Sequence, residues 1–537
     1  MSKLTILYNG NMITQDQSQP RATALAILNG RILAAGQTPQ ILEQYRTSPF
    51  RAEFLDLQGK TVLPGFTDAH LHLQNFSLSL QKIDCETQTL EECLARVGER
   101  AKRLPAGEWI LGHGWNQNRW QTGFPDALDL DGVAPHHPVY LTAKSLHAAW
   151  ANSLALEKAG IHAHTPDPPG GHIHRRLDGT PSGILFENAM QLVAGYVPPP
   201  DAHQLKQAIL DAQTTLLQLG ITCVHDFDGK ECFTTLQELH QEGLLILRVI
   251  KNLPAELMEE AIALGLRSGF GDDHLRLGSL KFFADGALGP RTAAMFEPYL
   301  GETNRGNLLL DSEALTEMGS KAIRNGWSLA VHAIGDRANH EVLNAFQNLR
   351  RIEQESTPNT VAKLRHRIEH VQVLHPQDLN RLANLHLIAS MQPFHATSDM
   401  EMAERYWGQQ RNRYAYAWRT QLDHGAVLAF GSDAPVEFPN PFWGIHAAVT
   451  RQRADGSPSP EGWIPEEKIS LSEALHAYTA GAAYTAGQEK HLGKLIPSYY
   501  ADLIVLDVDP YQVAPKDLKD LHPLATMING EWVRREF

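Results

Sequence analysis

Two histidines separated by one residue, His70 and His72 in TVLPGFTDAHLHL, are the first side chains in this sequence spaced to do chemistry. In a strand, residues i and i+2 share a face, so the two imidazoles stand side by side and can share a metal ion. The pair alone is a weak signal in a chain with 26 histidines. Its setting adds weight: an apolar run Thr61-Val62-Leu63, a Pro64-Gly65 break, and Asp68 just ahead of the pair. Similar groups recur at the ends of later apolar runs. His225 and Asp226 lie in ITCVHDF, Lys281 lies in SLKFFADG ahead of Asp285, His332 ends SLAVH, His370 ends HRIEH, and Asp433 follows VLAFGS. Such groups are costly to bury unless they are paired or bound to metal. Their recurrence on different runs points to one shared site.

The elements that must position them alternate. Strands are expected at 66–72, 221–227, 245–250, 277–283, 328–333, 367–371, 387–391 and 427–431, with helices between them. Eight strand–helix pairs predict an α/β fold closed as a (β/α)8 TIM-like barrel, with chemistry at the C-terminal strand ends. Before the barrel, short strands at 4–8, 23–28, 31–35, 54–57 and 61–63 turn at Asn9-Gly10 and Asn29-Gly30. After it come a small-residue helix over 471–486 and strands at 492–496, 502–506 and 525–528. Residues 84–200 read as a large insertion after the first barrel strand, irregular and aromatic-rich, with helices at 91–104 and 148–159 and a loop over 165–183. Such insertions usually cap the active face.

Composition bounds the function. The chain has 537 residues, 43% hydrophobic and 20% charged, and a net charge of −14, which argues against nucleic acid or an anionic membrane as main partner and is silent on a small-molecule substrate, the partner the strand-end residues call for. Cys85, Cys93, Cys223 and Cys232 match neither a disulfide framework nor a zinc-cysteine site and read as free thiols. The N-terminal segment lacks a signal-peptide core and no apolar run is long enough to span a bilayer, so a cytoplasmic protein is expected.

Nine stretches spread over nearly the whole chain carry a resemblance: TVLPGFTDAHLHL, GWNQNRW, KSLHAAWANSLAL, DPPGGHIHRRLDGTPSGILFE, SLKFFADGALGPRTA, LAVHAIGDRA, HRIEHVQV, AFGSDAPVE and GKLIPSYYADLIVLD. They resemble the amidohydrolase superfamily, in the amidohydrolase family 3 branch that includes N-substituted formamide deformylase. The resemblance implies that both termini, 1–64 and 487–537, join into one β-sandwich beside a barrel at 65–486 that includes the 84–200 insertion. It implies a divalent metal, with zinc the expected ion, one or two per chain. His70 and His72 would hold one ion, and His332 and His370 a second or the rest of the first. Asp433 would be both ligand and proton-transfer base. Lys281 would carry a carbamate derived from CO2 and bridge two ions, or else stay unmodified and pair with an acid. Hydrolysis of a non-peptide carbon–nitrogen bond by metal-activated water would follow. A homodimer is a habit of the superfamily.

Trp115, Asn118 and His147 are candidates to line the pocket from the insertion. His225 could touch substrate or support the ligands, and Arg291 could meet an anionic group or anchor the loop at 284–311. The tryptophans at 109, 115, 120 and 150 suggest an apolar or aromatic amine side for the substrate. Deamination of a cyclic amidine would use the same barrel residues. A binding protein that has lost activity is disfavoured because His70, His72, Lys281, His332, His370 and Asp433 are all present.

Overall fold

The computed structural model describes residues 3–46, 51–117, 120, 123–143, 148–356 and 364–537. Asn118 and His147 lie outside the described residues. The chain divides into two compact units, Met1–Phe76 with Leu210–Phe537, and Ser77–Ile209.

In the first unit eight parallel strands run in sequential order: β1 Phe66–Leu71, β2 Ile221–Asp226, β3 Arg248–Pro254, β4 Leu275–Phe283, β5 Ser328–Ala333, β6 Arg367–His370, β7 Ile388–Met391 and β8 Val427–Phe430. Their residues are buried on both faces almost throughout, as expected of strands with helices outside and side chains inside. The ends meet through a parallel bridge between Leu71 and Ala434. Asp433 N donates to His70 O at 2.6 Å, and His72 N to Ala434 O at 2.8 Å. The barrel therefore closes at its site residues. Gly431 permits this approach, because a Cβ there would lie 2.5 Å from His70 N.

Two further sheets complete this unit, and the first of them joins strands from both of its ends. One runs in the order Glu531–Arg535, Ala525–Ile528, Leu503–Leu506, Thr61–Pro64, Asn11–Ile13, Arg21–Ala22. The other runs Arg31–Gly36, Ala24–Leu28, Lys3–Tyr8, Arg51–Asp56. One apolar core holding Leu7, Leu25, Val62, Leu503 and Met527 fills the space between them. Thr61–Pro64 belongs to this sandwich and Phe66 already belongs to the barrel, so the chain passes between them at Gly65. A Cβ at Gly65 would lie 2.4 Å from the Thr222 side chain. Arg248 at the start of β3 donates to both Asp502 oxygens at 2.6 and 3.0 Å, tying barrel to sandwich.

The structure departs from the expected elements in several places. The third strand starts at Arg248, since Leu244 and Leu245 still donate to Leu239 O at the end of the preceding helix. Residues 148–151 are a strand rather than the start of a helix, because Trp150 pairs with Leu141 and Ile184, and cross-strand pairing overrides alanine propensity. The helix begins only after Asn152, whose side chain accepts from Ala155 N. The supposed loop at 165–183 contains a hairpin, Gly171–Arg175 with Pro181–Glu187, turning at Asp178-Gly179. The helix over 471–486 is two, Leu471–Ala477 and Ala480–Thr485, broken where Thr479 leaves helical geometry at φ −127° and ψ −92°. Residues 492–496 form no strand, and Leu495 instead plugs the sandwich core.

The second unit is not irregular. It holds a six-stranded sheet in the order Gly171–Arg175, Pro181–Glu187, Ala148–Ala151, Val139–Ala143, Ile110–Trp115, Ile83–Asp84, packed by the helix Leu90–Ala101. No helix among the described residues is long and apolar enough to cross a membrane.

Candidate metal centre

The strand ends bring His70, His370 and Asp433 together, with one ligand atom of each within 4.8 Å of the others. His70 Nε2 lies 3.5 Å from Asp433 Oδ1, and His72 Nε2 lies 3.6 Å from the same oxygen. Strand alternation thus persists across the end of β1. His370 arrives differently. In a regular strand it would face away from Glu369, yet both approach His70. Left-handed φ values of 73° at His370 and 46° at Val371 end β6 and turn the imidazole inward. Asp433 is also left-handed, at φ 60°. Asp68 braces this segment by accepting Ser432 N at 3.0 Å, Ser432 Oγ at 2.6 Å and His70 N at 3.1 Å.

The second nitrogen of each of three imidazoles is engaged by an acceptor. His70 Nδ1 donates to Glu369 Oε2 at 2.6 Å, His72 Nδ1 to Asp228 Oδ1 at 3.2 Å, and His370 Nδ1 to Gln392 Oε1 at 2.8 Å. With Nδ1 protonated, each Nε2 carries the lone pair a metal needs. His70 Nε2 is buried with no hydrogen-bond partner. Burial, helped by the charge on Lys281, holds the His70 pKa well below the usual range, and burial with neighbouring His332 does the same for His370, so both are neutral ligands in waiting. At His72 burial acts downward, but Asp228 and Asp433 outweigh it and raise the pKa. Burial raises Asp433. These donors, neutral imidazole with carboxylate, fit a divalent ion of the zinc type.

His332 stands beside this group, its ring 4.5 Å from that of His370. Its Nε2–H donates to Gly286 O at 3.0 Å, leaving Nδ1 with the lone pair. Burial lowers its pKa to about 3. Lys281 is buried with Nζ over the rings of Phe227 and Phe283, at 4.7 and 4.9 Å. Burial lowers its pKa to about 8 against the pull of Glu369 and Asp433.

The three candidate substrate contacts among the described residues have other partners. His225 is 1% exposed and accepts Arg367 Nη1–H at 2.8 Å through Nδ1. The same guanidinium donates to Glu369, to Ala69 O at 2.6 Å and to Ser390 Oγ at 2.5 Å, so His225 belongs to a polar layer inside the barrel, beneath the ligands. Trp115 donates Nε1–H to Leu141 O at 2.9 Å and packs against Trp120 and Trp150 in the core of the second unit. Trp115, Trp120 and Trp150 thus make a core and Trp109 packs half-buried against a second one in the same unit, so the tryptophans carry no hint of an apolar amine side. Arg291 pairs with Glu302 and covers Tyr406, anchoring its loop.

Several supporting residues escaped the sequence reading. Glu369 sits next to His370 in HRIEH, where a basic, an acidic and two imidazole side chains at one expected strand are the usable signal. Asp228 follows the motif at β2 by two residues and also accepts Gln74 N and Asn75 N. Gln392 and His395, in MQPFH after β7, come from the one strand end that had supplied no candidate besides β3.

The sequence pattern of the amidohydrolase family matches residues 53–534. A putative amidohydrolase, YtcJ, of Bacillus subtilis is 34% identical over 98% of this chain and 99% of its own length. The N-substituted formamide deformylase of Arthrobacter pascens is 30% identical over 98% and 97%. A crystal structure of an uncharacterized metal-dependent hydrolase from Pyrococcus furiosus superposes with a TM-score of 0.77 at 31% identity, covering 95% of this chain and 100% of that one.

Proposed function

The chain belongs to the amidohydrolase family, and from that premise we propose a metal-dependent hydrolase of non-peptide carbon–nitrogen bonds, with amides or N-substituted formamides as substrates. The observation that carries this reading is His70: a buried imidazole clamped by Glu369 at Nδ1, with an unpartnered Nε2 aimed beside Asp433. His70, His72, His370 and Asp433 would hold a divalent ion, zinc by donor type, and His332 with Lys281 would hold a second. The bound metal supplies Lewis acidity towards the substrate carbonyl and towards water.

The chain's own groups account for the proton. Asp433 accepts a proton from the attacking water and returns it to the leaving nitrogen, and its burial-raised pKa suits both steps. Lys281 is prepared for carboxylation because only the neutral amine adds CO2, releasing a proton as the carbamate forms. Burial favours that neutral form. The formamide class comes from the relative in Arthrobacter pascens, whose pattern of similarity runs the length of both chains.

The test combines elemental analysis with turnover of N-alkyl and N-aryl formamides and acetamides, following release of acid and amine. We expect about two metals per chain, fewer in Lys281→Ala, and hydrolysis that is lost on chelation and restored by zinc. Zinc-loaded protein that cleaves none of these bonds would overturn the substrate class. Protein that binds no divalent metal would overturn the whole reading.

A further inference from the structure

The first turn of the helix Pro393–Tyr406, directly after β7, holds polar groups that the ligand set does not use. Gln392 spends Oε1 on His370, and its Nε2 is buried without a partner. His395 is 6% exposed, and both of its ring nitrogens are buried without a hydrogen-bond partner. A neutral imidazole carries one N–H donor and one lone pair, and buried polar groups in folded proteins are nearly always paired. His395 is not stranded among apolar side chains. Its Nε2 lies 3.9 Å from Asp433 Oδ2, and its ring lies nearly parallel to that of His370, 6.2 Å away at 18°.

The local sequence holds the ring there. Pro393 at the first helical position sets the turn, and His395 N donates to Gln392 O at 3.1 Å. His395 does not belong to the group of His70, His370 and Asp433 whose ligand atoms lie within 4.8 Å of one another. Its place is the far side of Asp433, at the C-terminal end of a barrel strand, where substrate is met.

We propose that His395 is a substrate-binding residue whose ring N–H donates to the acyl oxygen of the substrate, with the Gln392 amide as a second donor. The hydrogen bond strengthens as that oxygen gains negative charge when water adds to the carbonyl carbon, so the pair favours the tetrahedral state over the planar one. The identity of the oxygen rests on the hydrolase reading above.

The test uses the zinc-loaded full chain and methylphosphonate, a tetrahedral oxyanion, by titration calorimetry. His395→Phe keeps a ring and removes both nitrogens; His395→Asn keeps a donor. Expected are unchanged zinc content in both variants, methylphosphonate affinity lower by ~10- to 100-fold in His395→Phe, and a smaller loss in His395→Asn. Hydrolysis by His395→Phe should fall through kcat by about 100-fold or more. Equal affinity in wild type and His395→Phe, zinc loss in either variant, or no methylphosphonate binding by the wild type would each overturn the assignment. Wild type that binds methylphosphonate in this His395-dependent way but cleaves no carbon–nitrogen bond would sink the substrate class and leave the assignment standing.

Discussion

Glu369→Gln tests whether a buried carboxylate holds His70 as a metal ligand. Glu369 is fully buried and receives three N–H groups: His70 Nδ1 at 2.6 Å, Arg367 Nε at 2.5 Å and Arg367 Nη2 at 3.0 Å. Burial pushes its carboxyl upward, but Arg367 and Lys281 outweigh that and hold the pKa below the usual glutamate range, so it is ionised at neutral pH. Glutamine keeps the shape but offers one accepting oxygen, and its NH2 must then face a donor. If the NH2 faces His70, Nδ1 surrenders its proton to Nε2, and Nε2 can no longer bind a metal. If it faces Arg367, a buried guanidinium loses its counter-charge. Breaking one side of a buried pair costs about 3–5 kcal/mol. Losing the carboxylate behind a ligating histidine costs about 10- to 100-fold in metal affinity. Zinc affinity is read by chelator competition at pH 7, and stability by the urea midpoint of the metal-free protein. Zinc affinity within a factor of two of wild type would refute the idea that Glu369 orients His70. An unchanged urea midpoint would refute the claim that its charge balances Arg367.

Three other predictions concern the frame. Trp115→Ala should destabilise the second unit by about 3–5 kcal/mol, seen as faster proteolytic cutting within 77–209, with KM unchanged; a selective KM rise in a stably folded variant would restore Trp115 to the pocket. His366 is fully buried and its Nδ1 accepts Leu329 N–H at 3.0 Å, so folding keeps it neutral and burial lowers its pKa to about 4. Because the unfolded chain takes the proton near pH 6.5, stability should fall by about 3 kcal/mol as pH drops from about 6.5 to 4. His366→Asn should flatten that part of the urea-midpoint profile, and an unchanged slope would contradict it. Lys251→Met removes the partner held at 2.5 Å from buried Asp226, whose carboxylate also receives Leu73 N. We expect a loss of about 3–5 kcal/mol in urea and weaker zinc binding through the adjoining Asp228–His72 contact; full zinc affinity would mean that Lys251 supports the fold alone.

Local rules made much of this protein readable in advance. Most of the eight barrel strands are legible because they are short apolar runs ended by turn or helix signals, and β5 has the residues 328–333 expected of it; β6, Arg367–His370, holds a single apolar residue and is legible by its place in the alternation. His-x-His put two Nε2 atoms near one carboxylate because strand alternation is a property of the backbone itself. The Asp178-Gly179 turn is equally local, and the glycines and prolines around it mask its signal.

What depended on contacts between distant segments was not readable. The clamp between His70 and Glu369 joins residues 299 apart, and no periodicity encodes that meeting. His370 faces the site only because its backbone turns left-handed where the strand ends. His225 shares the sequence signature of a ligand, an imidazole after an apolar run, yet Arg367 takes it one layer down. Trp115 looked like a pocket wall, but in the fold its indole found other indoles and a carbonyl. Residue type and spacing determine which side chains can do chemistry; barrel closure decides which of them meet, because a side chain's partners in the core come from every strand at once.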